Sequence, residues 1–135
     1  MPEIEQELSK AAGMSVTIGF TPHLVPMARG ELLTCHVKLS EGASVAALND
    51  ALRARYDDEP FVAVLDGGAV PKTQNVRGSN MVHLAAFQDR LPGRAIVIAA
   101  LDNLVKGSAG QAIQNVNLAF GFAETLSLEQ VALFP

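Results

Sequence analysis

Cys35 and His36 are adjacent, and a thiol beside an imidazole is the pairing of a nucleophile with its base. They lie, however, in Glu31–Leu39, which alternates with Leu33, Cys35, Val37 and Leu39 on one side and Thr34, His36 and Lys38 on the other. Neighbours on a strand point to opposite faces, so the two side chains cannot meet. Cys35 then reads as a buried structural thiol and His36 as a solvent-facing strand residue. A second pairing, His23 and Arg29, stands among apolar residues in the proline-bent stretch Thr21–Gly30. It reads either as a satisfied polar pair at a domain edge or as a site for a carboxylate or phosphate, which the fork of Arg29 would grip. Lys106, Gly107 and Gly110 at the start of a helical pattern resemble a phosphate cradle, without a Walker pattern or a GxGxxG. The alternative is that the small residues allow close helix packing. His83 alternates with Met81 and Ala85 and reads as packed. The three histidines lack ligand spacing, so no metal site is expected.

These residues need elements to hold them. Pro2–Ala12 reads as a helix, with proline at its start and Glu3, Glu5 and Glu7 toward its positive end. Met14–Phe20 alternates as a strand, and so does Glu31–Leu39. Ser44–Tyr56 is an amphipathic helix with Val45, Leu48, Leu52 and Tyr56 inward and Asn49, Asp50, Arg53 and Arg55 outward. Phe61–Leu65, Met81–Phe87 and Arg94–Leu101 follow as strands, separated by turns and the polar, irregular Thr73–Asn80. The last strand does not alternate, which predicts a central strand covered on both faces. A helix follows from about Gly107. Ala109, Ala112, Ile113, Val116 and Phe120 mark its inward face, and Gln111, Gln114 and Asn115 the other. No residue from Gly107 to Ala123 is charged, so the amide face is expected to be covered by a further domain, subunit or ligand. Val131–Phe134 reads as an edge segment. Strands and helices out of βαβ alternation predict an α+β fold, a largely antiparallel mixed sheet with helices on one face.

The chain has 135 residues, a length that matches one domain with a real core, and a net charge of −4. Its ten Lys and Arg are scattered, which argues against nucleic acid or an anionic membrane as partner. No apolar run reaches the roughly 18 residues of a membrane helix. One cysteine excludes an internal disulfide framework and agrees with a reducing compartment.

Several stretches together carry a family resemblance. They are Pro2-Glu-Ile-Glu-Gln6, Phe20-Thr-Pro-His-Leu-Val-Pro-Met-Ala-Arg-Gly30, Glu59-Pro-Phe-Val62, Val76-Arg-Gly-Ser-Asn80 and Leu101-Asp-Asn-Leu-Val-Lys-Gly-Ser-Ala-Gly-Gln-Ala-Ile-Gln-Asn-Val-Asn-Leu118. Over essentially its whole length the chain resembles the C-terminal portion of N-acetyl-gamma-glutamyl-phosphate reductase, a relative of aspartate-semialdehyde dehydrogenase. The resemblance implies an NADP-dependent cytoplasmic enzyme of arginine biosynthesis that reduces N-acetylglutamyl 5-phosphate to the semialdehyde and releases phosphate. It implies a substrate and dimerisation domain over 1–103, a helix over 104–122 that packs on a Rossmann domain, and a tail over 123–135. Self-association follows from the same plan.

The family's nucleophilic cysteine belongs to a Pro-Gly-Cys-type motif that Cys35 does not match, and its acid/base histidine to a His-Arg-His stretch that is not in this sequence. No catalytic residue is therefore expected here, and these residues alone are expected to be inactive. Arg29 and His23 match the segment bordering the substrate. Asn103, with Lys106 and Gly107, matches the segment that meets bound NADP. Two other readings stay open: a non-catalytic oligomerisation or regulatory module with the same fold, and a sibling reductase for another acyl phosphate.

Overall fold

The computed structural model describes residues 2–133. Arg94–Leu101 (β4) is the strand from which the sheet is built. It runs antiparallel between Glu31–Lys38 (β1) and Val82–Gln88 (β3). Val62–Val64 (β2) pairs parallel with β3, giving the order β1-β4-β3-β2. The sheet is largely antiparallel and β4 is internal, as its unbroken apolar run predicts. Its faces are less covered than that run implies. Ala95 and Ala100 are buried, whereas Ile96 to Ala99 are only half-buried.

Residues opposite one another across antiparallel strands share a face. Leu33, Cys35 and Val37 therefore lie with Ala99, Val97 and Ala95, and with Leu84 and Ala86 of β3. Helix Val45–Tyr56 (α2) packs on this sheet over β2 and β3. Its N-cap Ser44 accepts the Ala47 N–H at 3.1 Å. Cys35 belongs to edge strand β1, away from the strands that α2 covers, and is exposed. The buried-thiol expectation fails for that reason. Asn49 also departs from its expected outward place. Its Oδ1 accepts the Ala86 N–H and its Nδ2 donates to the Ala86 carbonyl, each at 3.2 Å. The backbone bond from Leu65 to Leu84 closes the β2–β3 ladder, and the amide of Asn49 then takes the place of a strand along the next stretch of β3.

The N-terminal helix forms over Pro2–Ala12 (α1) and buries none of its residues. Met14–Phe20 joins no ladder, contrary to the strand expected there. The Val16 N–H goes to Ser9 Oγ at 2.9 Å and the Ile18 N–H to Glu5 Oε1 at 3.1 Å. Side chains of α1 thus serve the alternate backbone donors that a strand would give to its neighbour. The stretch after Thr73 is irregular as expected, with a short 3₁₀ turn at Thr73–Asn75, yet Val76, Ser79 and Asn80 are fully buried. The expected edge segment over Val131–Phe134 forms no ladder over 131–133, where the Leu133 N–H reaches the Arg77 carbonyl at 2.7 Å. Phe134 lies outside the described residues. Among the described residues no helix is long and apolar enough to cross a membrane.

Candidate functional site

The site forms where β4 ends. Asp102 follows Leu101 and is fully buried. Its carboxylate accepts three backbone N–H groups, from Gly78 at 2.6 Å, Leu104 at 2.8 Å and Val105 at 3.1 Å. Arg29 Nη2 stands 3.0 Å from each of its oxygens. Burial by itself would raise the carboxyl's pKa. The three amides and the guanidinium outweigh it and hold Asp102 below the usual carboxylate value. The next residue repeats the link: Asn103 Oδ1 accepts the Gly30 N–H at 2.7 Å. Two consecutive residues thus clamp two others, Arg29 and Gly30, that the proline-bent segment brings in. Gly30 has φ +110°, and a Cβ there would fall 2.7 Å from Thr73 Cβ, so this contact needs glycine.

Arg29 and His23 are not a pair. The partner of Arg29 is Asp102, while His23 is exposed. Arg29 keeps 31% of its side chain exposed, and its Nε is buried without a hydrogen-bond partner. One edge of the guanidinium is anchored, and donor capacity remains for an anion.

The chain then makes a π-helical turn over Val105–Ala109, with Gly107 N–H bonding the Asp102 carbonyl at 2.9 Å and Ala109 N–H the Leu104 carbonyl at 3.1 Å. Helix Gly110–Ala119 (α3) continues from it. α3 presents the face opposite to the one expected. Gly110, Gln114 and Asn117 are the buried residues, and Ile113, Val116, Leu118 and Phe120 are 43–73% exposed. Gln114 Oε1 accepts from Asn80 Nδ2 at 3.0 Å and Lys106 Nζ at 2.7 Å, while its Nε2 donates to Glu124 Oε1 at 2.6 Å. Asn117 Nδ2 donates to the carbonyls of Glu124 at 3.1 Å and Leu126 at 3.0 Å. Buried amides on α3 meet the polar backbone and side chains of the 76–80 turn and of the tail, which an apolar face could not satisfy.

A phosphate cradle does not form at this helix start. Asp102 occupies the Leu104 and Val105 amides that would receive an anion. Lys106 is turned inward, 5.6 Å over the Phe61 ring and bonded to Gln114. Burial pulls its pKa below the usual lysine value, with Glu124 and Glu59 opposing. Gly107 is exposed, and Asn103 faces Gly30. As arranged, Lys106 and these amides do not fit a cofactor phosphate. Gly110 is the close approach: a Cβ there would lie 2.3 Å from Asn80 Oδ1. Packing is the function of this glycine. His83 is half-buried as expected, with Nδ1 unpartnered and its pKa lowered by burial. Among the described residues no group of three or more His, Cys, Asp and Glu could hold a metal.

Residue-by-residue reading missed Asp102, Asn80 and Asn117 as the polar centre. The signal available was the uncharged, amide-rich stretch after Gly107, which marks a covered polar face without saying by what.

Residues 1–103 match the family described as "Semialdehyde dehydrogenase, dimerisation domain". The chain belongs to this family. The match includes the clamp of Arg29, Gly30, Asp102 and Asn103 and ends before the π-helical turn. The "Probable N-acetyl-gamma-glutamyl-phosphate reductase, chloroplastic" of Arabidopsis thaliana is 53% identical over 135 residues, all of this chain and 34% of that protein. The N-acetyl-gamma-glutamyl-phosphate reductase of Geobacter metallireducens is 54% identical over the same 135 residues, 39% of its length. The chain thus spans little more than a third of these relatives. Among solved structures, aspartate semialdehyde dehydrogenase II of Vibrio cholerae, complexed with ASA, superposes with a TM-score of 0.56 over 72% of this chain and 29% of that one. At 18% identity that likeness speaks for the fold alone.

Proposed function

We propose that this chain is the dimerisation and substrate-side domain of a reductase that converts N-acetyl-L-glutamyl 5-phosphate to N-acetyl-L-glutamate 5-semialdehyde and phosphate in arginine biosynthesis. The observation that carries the reading is identity above 50% along every residue to proteins bearing that reductase's name. NADPH supplies the hydride; its phosphates are held mainly by residues outside this chain, since Lys106 and the helix-start amides are engaged internally. Arg29 binds the substrate's carboxylate or phosphate through the guanidinium edge that Asp102 leaves free. The nucleophile and the acid/base histidine are contributed from outside these residues, and the exposed apolar stripe of α3 is the surface that a Rossmann domain covers.

The test is the reaction run backwards: semialdehyde, inorganic phosphate and NADP, followed by NADPH absorbance. The complete reductase is expected to turn over, and the 135-residue chain to give none. Activity with aspartyl rather than N-acetylglutamyl substrate would reassign it to a sibling reductase. Self-association of the complete protein without turnover on either would favour the oligomerisation-module reading, to which the dimerisation-domain match lends support.

A further inference from the structure

We propose that Asp102 is a positioning residue for substrate binding: it fixes the guanidinium of Arg29 in the orientation that meets the substrate anion and ties that orientation to the start of the 105–119 helix. The inference rests on the reading of Arg29 as a substrate contact.

Three separate parts of the chain converge on this one carboxylate. Arg29 comes from the proline-bent segment, the Gly78 N–H from the turn after Val76, and the Leu104 and Val105 N–H groups from the first turn beyond β4. A flexible arginine on an otherwise exposed stretch, residues 21–28, would sample many rotamers. The buried carboxylate removes that freedom before substrate arrives, because its oxygens are themselves held by backbone amides and cannot follow a moving guanidinium. The Asn103–Gly30 bond fixes the backbone under the same side chain. Asp102 engages Nη2 and the adjoining Nε is buried, so the end of the guanidinium left for an anion is Nη1, on a side chain that stays 31% exposed. Preorganisation of this kind lowers the ordering cost of binding.

The test uses the complete reductase with four proteins: wild type, Asp102→Asn, Arg29→Met and the double variant. Asn at 102 keeps the size of the side chain and one acceptor, and it removes the charge opposite Arg29. Asp102→Asn is expected to raise KM for the acyl phosphate roughly tenfold to a hundredfold, the scale on which small misplacements act, with KM for NADPH unchanged. In the Arg29→Met background the same change is expected to add little, because the group that Asp102 orients is gone. Full additivity of the two effects overturns the proposal, since Asp102 would then act by another route. An unchanged KM in Arg29→Met overturns the substrate role of Arg29 instead, which separates the two failures. Should Asp102→Asn not fold, a crystal structure of the unmutated reductase with bound substrate decides. Arg29 is expected to keep Nη2 on Asp102 while another of its nitrogens meets the ligand. An Arg29 that swings off Asp102 to bind sinks the idea.

Discussion

A carboxylate buried among four donors is a favourable arrangement only while it is charged. Asp102 has its pKa lowered in the folded chain, so the unfolded chain binds a proton more readily. The stability it contributes is present above the ordinary carboxylate value and is lost as pH falls through the lower folded value. Asp102→Ala is expected to cost about 3–5 kcal/mol at neutral pH, because it leaves Arg29 and the amides of Gly78 and Leu104 without their partner. Urea unfolding of wild type and variant from neutral pH down to pH about 3 checks both claims. The gap between the two should narrow on acidification, and a gap independent of pH would contradict the charged state assigned to Asp102. Asn49 makes the same point on a smaller scale. Its period places it outside, but Ala86 has a backbone donor and acceptor to satisfy, and one primary amide matches both.

At the level of elements, the join between the π-helical turn and α3 depends on Gly110. In an ordinary exposed helix, replacing glycine by alanine stabilises by about 1 kcal/mol. Here a Cβ would meet Asn80 Oδ1 at 2.3 Å and the Val105 carbonyl at 2.8 Å. Neither is the far end of a long, flexible side chain, and Asn80 is held by Gln114. Gly110→Ala is therefore expected to destabilise by roughly 1–3 kcal/mol, the sign opposite to helix propensity. Denaturant midpoints of the two proteins decide it. The exposed Gly121 is not a control, since its φ of +73° makes alanine strained there for a different reason. Met14–Phe20 carries a related lesson. Its alternation is that of a strand, yet α1 supplies its hydrogen bonds through Ser9 and Glu5. A period-2 pattern sets the order of apolar and polar side chains and leaves the backbone's bonding partner open.

For the whole molecule the governing fact is apolar surface on show. Ile113, Val116 and Phe120 are exposed along one side of α3, and Phe122 stacks near Phe120 with ring centroids 6.5 Å apart. A continuous stripe of this kind is seldom left to water. The 135-residue chain is expected to self-associate at micromolar concentration, and the double change Val116→Glu with Phe120→Glu to shift it toward monomer. Both side chains are exposed, so the fold should lose no more than about 0.5 kcal/mol. Sedimentation of the unmutated chain showing monomer alone would refute the expectation; helicity by circular dichroism guards against an unfolded variant.

Local patterns settled those parts of the structure that depend on neighbours in sequence. The periods of β1, β3 and α2 and the Pro2–Ala12 helix follow from residues a turn or a pleat apart, and the unbroken run of β4 marks it as internal. The family was legible in the same way, through stretches such as the one that opens at Leu101. Which face of α3 turns inward was a different kind of question. The helix carries an apolar stripe and an amide stripe, and periodicity alone favours burying the apolar one. The outcome turned on what lies opposite: Asn80, the Glu124 side chain, the carbonyls of Glu124 and Leu126, and a glycine close enough to admit Asn80. Those groups are far from α3 in the chain or reach it through a turn, so only the tertiary structure brings them together. The same reason hid Asp102, an unremarkable turn residue by sequence, whose partners Arg29 and Gly78 arrive from two other segments.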